Sequence, residues 1–230
     1  MSLEFEALSD LSPIVVDIET CGLLNAAEFL EPLSPAKNLK DPEKVAADIS
    51  SRTADRDAKL ALDWNVGRIV ALGWWTEADD IVTRMCATED EEAEALRTFW
   101  ATARQRTIVG FNVTGFDLRF MIQRSRYLRV AHPQLELGKY SHRGITDLYL
   151  DLTFNDGLHD QGAMRRTLTM FARRFGIPHE DTVTGADVPA LVAAGDLAAV
   201  EAHLRADVAV TVALARRLGV LQPARERVGW

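Results

Sequence analysis

The stretch Pro13–Gly22, reading PIVVDIETCG, constrains this chain more than any other. A proline followed by Ile and Val residues reads as the start of a buried strand, and successive side chains on a strand point to opposite faces. Asp17 and Glu19 are two apart, so they share a face. Two carboxylates at the end of a buried strand repel each other, and burial disfavours both charged forms. A cation held between them relieves both effects. The competing reading is the wet end of an edge strand, and the rest of the chain decides between the two.

The 230 residues suit one large domain, 1–230, carrying a mainly helical, polar insertion at about 25–63. The formal net charge of −8 gives no general attraction to nucleic acid or to an anionic membrane, although a local basic patch can still bind phosphate. No apolar run reaches the ~18 residues of a membrane span, and the acids Glu4 and Glu6 break the basic region of a signal peptide. Cys21 and Cys86 form neither a disulfide framework nor a zinc pattern. The expectation is a soluble cytoplasmic protein without a membrane partner.

Within the insertion, Asp41-Pro42-Glu43 reads as a helix start, with Asp41 as N-cap and Pro42 in the first turn, and the helix is expected to run to about residue 61. Residues 68–75 and 81–87 read as two strands joined by an acidic turn, an antiparallel hairpin. Residues 89–104 read as a helix with acids first and basic residues last, as its dipole favours. A short strand at 107–110, a helix at 116–128, and a strand leading into a helix over 145–152 follow. Helices are expected at 164–175, 188–194 and 197–218. This order predicts an α/β domain whose mixed sheet joins a three-strand antiparallel meander to parallel strands, flanked by helices.

Two further stretches carry acids. After the strand at 107–110 the chain turns through Asn112 and opens a helix near Phe116, which places Asp117 in the first turn, where the dipole stabilises its charge. Near the end, His203 and Asp207 are four apart, on one face of a helix whose neighbours Val208, Val210, Val212 and Leu214 are apolar. Each stretch alone is equally well a capped turn or a surface pair. Together, Asp17, Glu19, Asp117 and Asp207 supply four carboxylates. Hard divalent ions such as Mg²⁺ take oxygen ligands, and two ions about 4 Å apart can serve an in-line phosphoryl displacement.

With these residues in place, the sequence resembles the DEDD superfamily of 3′–5′ exonucleases, which has the ribonuclease H-like fold, and is most similar to the branch related to polymerase proofreading domains. Asp17-Ile18-Glu19-Thr20 matches the first motif, Asn112 through Phe116-Asp117 the second, and His203 with Asp207 the third, in order across roughly residues 13–218. The resemblance implies that Asp17, Glu19, Asp117 and Asp207 hold two divalent ions, Mg²⁺ or Mn²⁺. It implies that His203 acts as general base or orients the attacking water, and that Thr20, Asn112 and Phe116 hold the terminal nucleotide. The implied substrate is the 3′ end of single-stranded or frayed DNA, cleaved to nucleoside 5′-monophosphates. A DNA polymerase or another replication or repair protein is the implied partner. The same chemistry on RNA 3′ ends, and a catalytically weak nucleic-acid-binding module associated with a polymerase, stay open as alternatives.

The third motif departs from the superfamily pattern. One subgroup places a Tyr four residues before the last Asp, and the other a His five before it. Here the residue four before is His203 and the residue five before is Ala202. One residue is about 100° around a helix, so His203 takes the Tyr position. An imidazole titrating near 6.5 is a better base at neutral pH than a phenol near 10.

Arg119, Arg124, Arg126, Arg129, Arg143, Arg165, Arg166, Arg173 and Arg174 form a basic group suited to phosphate, and Phe111, Phe116, Trp64 or Tyr140 could stack on bases. The remaining histidines, 132, 142, 159 and 179, lack metal-site spacing. Asp147, Asp151, Asp156 and Asp160 read as caps and solvated acids.

Overall fold

The computed structural model describes residues 12–138, 143–154, 166–179 and 182–222. Tyr140, His142, Asp156, His159, Asp160 and Arg165 lie outside the described residues.

Strand β1 (Pro13–Gly22) is the centre of a five-stranded sheet with β2 (Gly67–Thr76), β3 (Val82–Met85), β4 (Thr107–Gly110) and β5 (Ile145–Asp147), in the order β3-β2-β1-β4-β5. The first three strands form the antiparallel meander, and β4 and β5 run parallel to β1, so the mixed sheet of the ribonuclease H-like fold is present as expected. The alternation of β1 separates the two layers. Ile14, Val16 and Ile18 face helices α2 (Glu89–Ala103) and α3 (Asp117–Tyr127), against Phe99, Leu118 and Phe120. Val15 and Cys21 face the other layer, where Val200, Leu204, Val208 and Val212 of the last helix pack. Asp17 and Glu19 have the parity of Val15, so they point to this second layer.

The second layer comprises α5 (Leu168–Arg174), α6 (Val188–Ala194) and α7 (Leu197–Arg217), with the short α4 (Leu148–Thr153) following β5 directly. Leu168 and Phe171 of α5 and Val188 of α6 pack into the same cluster as α7. Asp196 caps α7 by accepting from the Ala199 amide. The first of the late helices is shorter than expected, because Thr167 caps α5 by accepting from the Met170 amide and so fixes its start.

Within 25–63, helix α1 (Pro42–Asp57) begins as the sequence implied, with the Asp41 carboxylate accepting from the amides of Glu43 and Lys44. It ends before the expected residue 61, and a separate 3-10 turn, Leu60–Leu62, follows. No residue of α1 is buried, so burial on the sheet does not hold it. No helix among the described residues is long and apolar enough to cross a membrane.

Two side chains depart from the roles expected of them. Arg124 is 2% exposed, and its guanidinium donates to both oxygens of the buried Glu92 at 2.7 and 2.8 Å and to Glu89 at 3.1 Å. Glu92 also accepts from the Ile69 amide, so this ion pair ties α2 and α3 to β2 rather than facing phosphate. Trp64 packs against the α2–α3 side of the core and does not line the acidic cleft described below.

Candidate active site

Strands β1 and β4 pair only through Pro13, Ile14 and Val15, because β4 ends at Gly110. Beyond that point one edge of β1 is left open, and ligand crevices in α/β sheets form at such positions, outside the carboxyl ends of parallel strands. The chain leaving β4 passes through Asn112, whose φ of 57° is left-handed, and enters α3 at Asp117. The Asp117 carboxylate then lies close to its own amide and to the amide of Ile18, on the open edge of β1, and both amides favour its charged form. A helix N-terminus thus delivers the second-motif acid to the first-motif strand.

The loop is held from beneath by Asp147, at the end of β5. Its buried carboxylate accepts from the Asn112 amide at 2.9 Å, the Thr114 amide at 2.9 Å, the Thr114 hydroxyl at 2.6 Å and the Tyr149 amide at 3.0 Å. The last bond is the helix cap expected of it. The first three, from residues far away in sequence, give it a second task that sequence reading missed. Gly115 completes the loop: a Cβ there would press on the Asn112 side-chain amide, which lies over the turn because position 115 is glycine.

Helix α7 reaches the acids because the sheet is thin beneath it. Gly73 on β2 is paired directly with Asp17, and a Cβ at Gly73 would lie 3.0 Å from Leu204 and 3.1 Å from Val208. Leu204 and Val208 therefore sit almost on the backbone, which draws the adjacent turn of α7 onto β1. His203 Nε2 lies 3.3 Å from Glu19 Oε1 and 3.9 Å from Asp207 Oδ2. One ligand atom from each of Glu19, His203 and Asp207 falls within 4.8 Å of the others, and Glu19 and His203 are buried. The one-residue shift in the third motif thus leaves the imidazole inside the acidic centre.

Asp17 joins the two halves. Its carboxyl is held well above the usual carboxylate range, by burial first and then by the negative charges of Asp117, Asp207 and Glu19. Asp117 is pushed up to about 8, chiefly by burial and then by the charges of Asp147 and Glu19, against the lowering effect of the amides of Asp117 and Ile18. Like charges converging without a compensating cation raise pKa values in this way, and perturbed acids in a cleft are a common mark of a functional site. Carboxylate oxygens from Asp17, Glu19 and Asp207, with the His203 imidazole beside them, suit a hard divalent cation and a base next to it.

Beside this centre lies an open cleft of about 550 Å³. Asp17, Asn112, Phe116 and Asp117 line it together with Phe111, Tyr149, Arg166, Thr167 and Leu168. Phe111 stands edge-on to Tyr149, with ring centroids 5.6 Å apart, so the cleft has one aromatic wall, while Phe116 forms part of another. Thr20 is not brought to the cleft. It lies on the opposite face of β1 from Asp17 and Glu19, and its hydroxyl donates to the Ala61 carbonyl at 2.6 Å. Tyr149, Thr167 and Leu168 were not singled out from the sequence, since nothing local marks a residue that reaches a cleft across the fold.

A ribonuclease H-like sheet that gathers acids from its first strand, from the helix after β4 and from its last helix defines an exonuclease-type domain. A family model described as "Predicted 3'-5' exonuclease related to the exonuclease domain of PolB" matches residues 62–225, and the chain belongs to that family. The match includes Asn112, Phe116, Asp117, His203 and Asp207, while Asp17 and Glu19 precede it. The solved structure of the family B DNA polymerase from the hyperthermophilic archaeon Pyrobaculum calidifontis resembles this chain with a TM-score of 0.60 and 19% identity, which is a likeness of fold. The likeness covers 90% of this chain and 24% of that polymerase chain. A comparison with curated proteins finds no match.

Proposed function

We propose that this chain is a two-metal-ion 3′–5′ exonuclease that removes nucleoside 5′-monophosphates from the 3′ end of single-stranded or frayed DNA. The observation that carries this reading is the convergence of Asp17, Glu19, Asp117 and Asp207, from three separate elements, beside a cleft with aromatic walls. Asp17, Glu19, Asp117 and Asp207 would hold the two ions, Mg²⁺ or Mn²⁺. Bound there, such ions supply charge compensation at the phosphate and a more acidic water.

The chain's own residues do the rest. Phe116 and Phe111 hold the terminal base and sugar against the cleft walls, and the Asn112 amide, fixed over Gly115, hydrogen-bonds the terminal nucleotide. His203 takes the proton of the attacking water. The water oxygen bonds to the phosphorus of the last phosphodiester, the bond to the 3′ oxygen of the preceding nucleotide breaks, and that oxygen takes a proton from solvent. With its hydroxyl bonded to Ala61, Thr20 contributes by holding the 3-10 turn against β1.

The test is digestion of 5′-labelled and 3′-labelled single-stranded DNA, with RNA of the same sequence in parallel, in Mg²⁺ or Mn²⁺. The expected result is mononucleotide release from the 3′ end of DNA, abolished by chelator and by Asp17→Ala. Equal activity of the wild type and Asp17→Ala would overturn the reading, and faster release from RNA would reassign the substrate.

A further inference from the structure

A second cavity, of about 890 Å³, lies at the other end of β4 from the acidic cleft. It is framed by the C-termini of α2 and α3 and by the approach to β5. Among the described residues, five arginines line it, Arg97, Arg104, Arg106, Arg129 and Arg143, and none of its lining residues is acidic. In a chain of net charge −8, that concentration of one sign is not the average surface. Arg97 is paired with Glu94, and Arg106 donates to the Thr102 carbonyl and the Ser12 hydroxyl. Among the described residues, no hydrogen bond or ion pair engages the guanidinium groups of Arg104, Arg129 or Arg143. Basic side chains at helix C-termini complement the dipole, and that alone would account for Arg104 and Arg129.

The backbone argues for more. Helices α5 and α7 end with Gly176 and Gly219 in the left-handed conformation, and α6 with Gly195, as a helix terminus favours. The equivalent left-handed positions after α2 and α3 are Gln105, with φ 58°, and Arg129, with φ 55°. Both line this cavity. A non-glycine residue there is strained. Phe154 ends α4 in the same way away from this cavity, so it is two such positions together with the arginines unpaired among the described residues that mark this place. The half-buried His132, its ring 6.4 Å from that of the buried Trp100, and Pro133 and Leu135 give the cavity an apolar, partly aromatic floor.

We propose that this cavity is a second nucleic-acid site, which holds phosphates of the substrate strand away from the 3′ end, with Arg104, Arg129 and Arg143 as the phosphate ligands. The inference rests on the exonuclease reading for the identity of the strand. Planar guanidinium forks match phosphate, and a ring-lined floor accepts a base face without sequence preference. Ile108 lines this cavity and Phe111 lines the acidic cleft, three residues further along the chain, or about 10 Å at ~3.3 Å per residue. The two sites thus lie at opposite ends of one short strand and on opposite sides of the sheet. A nucleic-acid strand held in both must pass around the sheet edge, which a length of roughly 20 nucleotides allows.

The experiment measures binding of labelled single-stranded DNA by fluorescence anisotropy in chelator, so that no hydrolysis intervenes. Oligonucleotides of about 4 and about 20 nucleotides are compared, bracketing the usual site sizes of single-strand sites. Arg104→Gln/Arg129→Gln/Arg143→Gln should bind the long strand about a hundredfold more weakly at ~0.1 M salt, and its log–log salt slope should fall by about 2, from three phosphate contacts at ~0.7 each. Binding of the short strand should stay within twofold. Arg129→Gly should weaken long-strand binding while melting at or above the wild-type temperature, because glycine relieves the left-handed strain. Unchanged long-strand affinity in the triple variant would overturn the proposal, as would an equal loss for both lengths. Competition by polyglutamate as effective as by DNA would reassign the cavity to an acidic protein and also overturn it. Long-strand binding that depends on the arginines, in a protein that releases no nucleotide with Mg²⁺ or Mn²⁺, would sink the exonuclease reading alone.

Discussion

Asp117→Asn separates what the acidic centre does for chemistry from what it does to stability. The folded protein holds the Asp117 proton up to about 8, against 3.8 for an ordinary aspartate. An unfolded chain releases that proton near 3.8, so between the two values the unfolded state binds fewer protons. For an acid with a raised folded pKa, the stability present below the unfolded value is lost as pH rises, and the loss is complete once pH passes the folded value. At ~1.36 kcal/mol per pH unit, the metal-free protein gives up as much as roughly 4 kcal/mol by pH 7 through this one group. Asparagine cannot ionise, yet it keeps the shape of the side chain and an oxygen facing the Ile18 amide. In chelator, Asp117→Asn should therefore melt close to wild type near pH 4.5 and increasingly above it toward pH 8. Each kcal/mol corresponds to roughly 2–4 °C for a chain of this size. The assay is differential scanning calorimetry across that pH range, with exonuclease rate measured beside it. The variant should be more stable and inactive. Parallel melting curves for the two proteins at all pH values would refute the electrostatic account of the site.

Three further outcomes follow from the same geometry. His203→Ala should lower kcat by about 10²–10⁴, the usual range for a lost general base, with much less effect on the thermal shift produced by Mn²⁺; equal loss of both would make His203 a ligand instead. Gly73→Ala puts a methyl group 3.0 Å from Leu204, and overpacking of that kind destabilises by about 1–3 kcal/mol, so melting temperature and activity should fall together through displacement of α7. A wild-type rate in that variant would show that α7 tolerates the shift. Asp147→Ala leaves the amides of Asn112 and Thr114 without their acceptor; with roughly 1–3 kcal/mol for each buried unmade bond, a urea titration should show a loss of at least ~2 kcal/mol, and KM for the 3′ end should rise.

The parts of the site that sequence could reveal are those with a local period. Alternation on β1 placed Asp17 and Glu19 on one face, and a spacing of four placed His203 and Asp207 on another, before any contact was known. The same alternation assigns Thr20 to the opposite face, and there its hydroxyl meets Ala61 rather than the cleft. The implied nucleotide role came from a motif match, whereas the side chain's direction follows from strand parity. Asp147 hid for a different reason. Its bond to Tyr149 is local and reads as a cap, while its bonds to Asn112 and Thr114 join β5 to the β4–α3 loop and exist only once the two strands lie parallel. Arg124 shows the same limit from the charge side, since a guanidinium within a basic run looks solvated until Glu92 is brought beneath it. What joins the acidic stretches is glycine. Gly73 lets α7 lie on the strand paired with Asp17, and Gly115 lets Asn112 fold over the turn that carries Asp117. Neither residue bears a functional group, yet both fix the separation of groups that do. An acidic centre built this way depends on how closely α7 lies on the sheet, so Gly73→Ala tests that spacing, where a few tenths of an ångström is at stake, as Asp17→Ala tests the ligand itself.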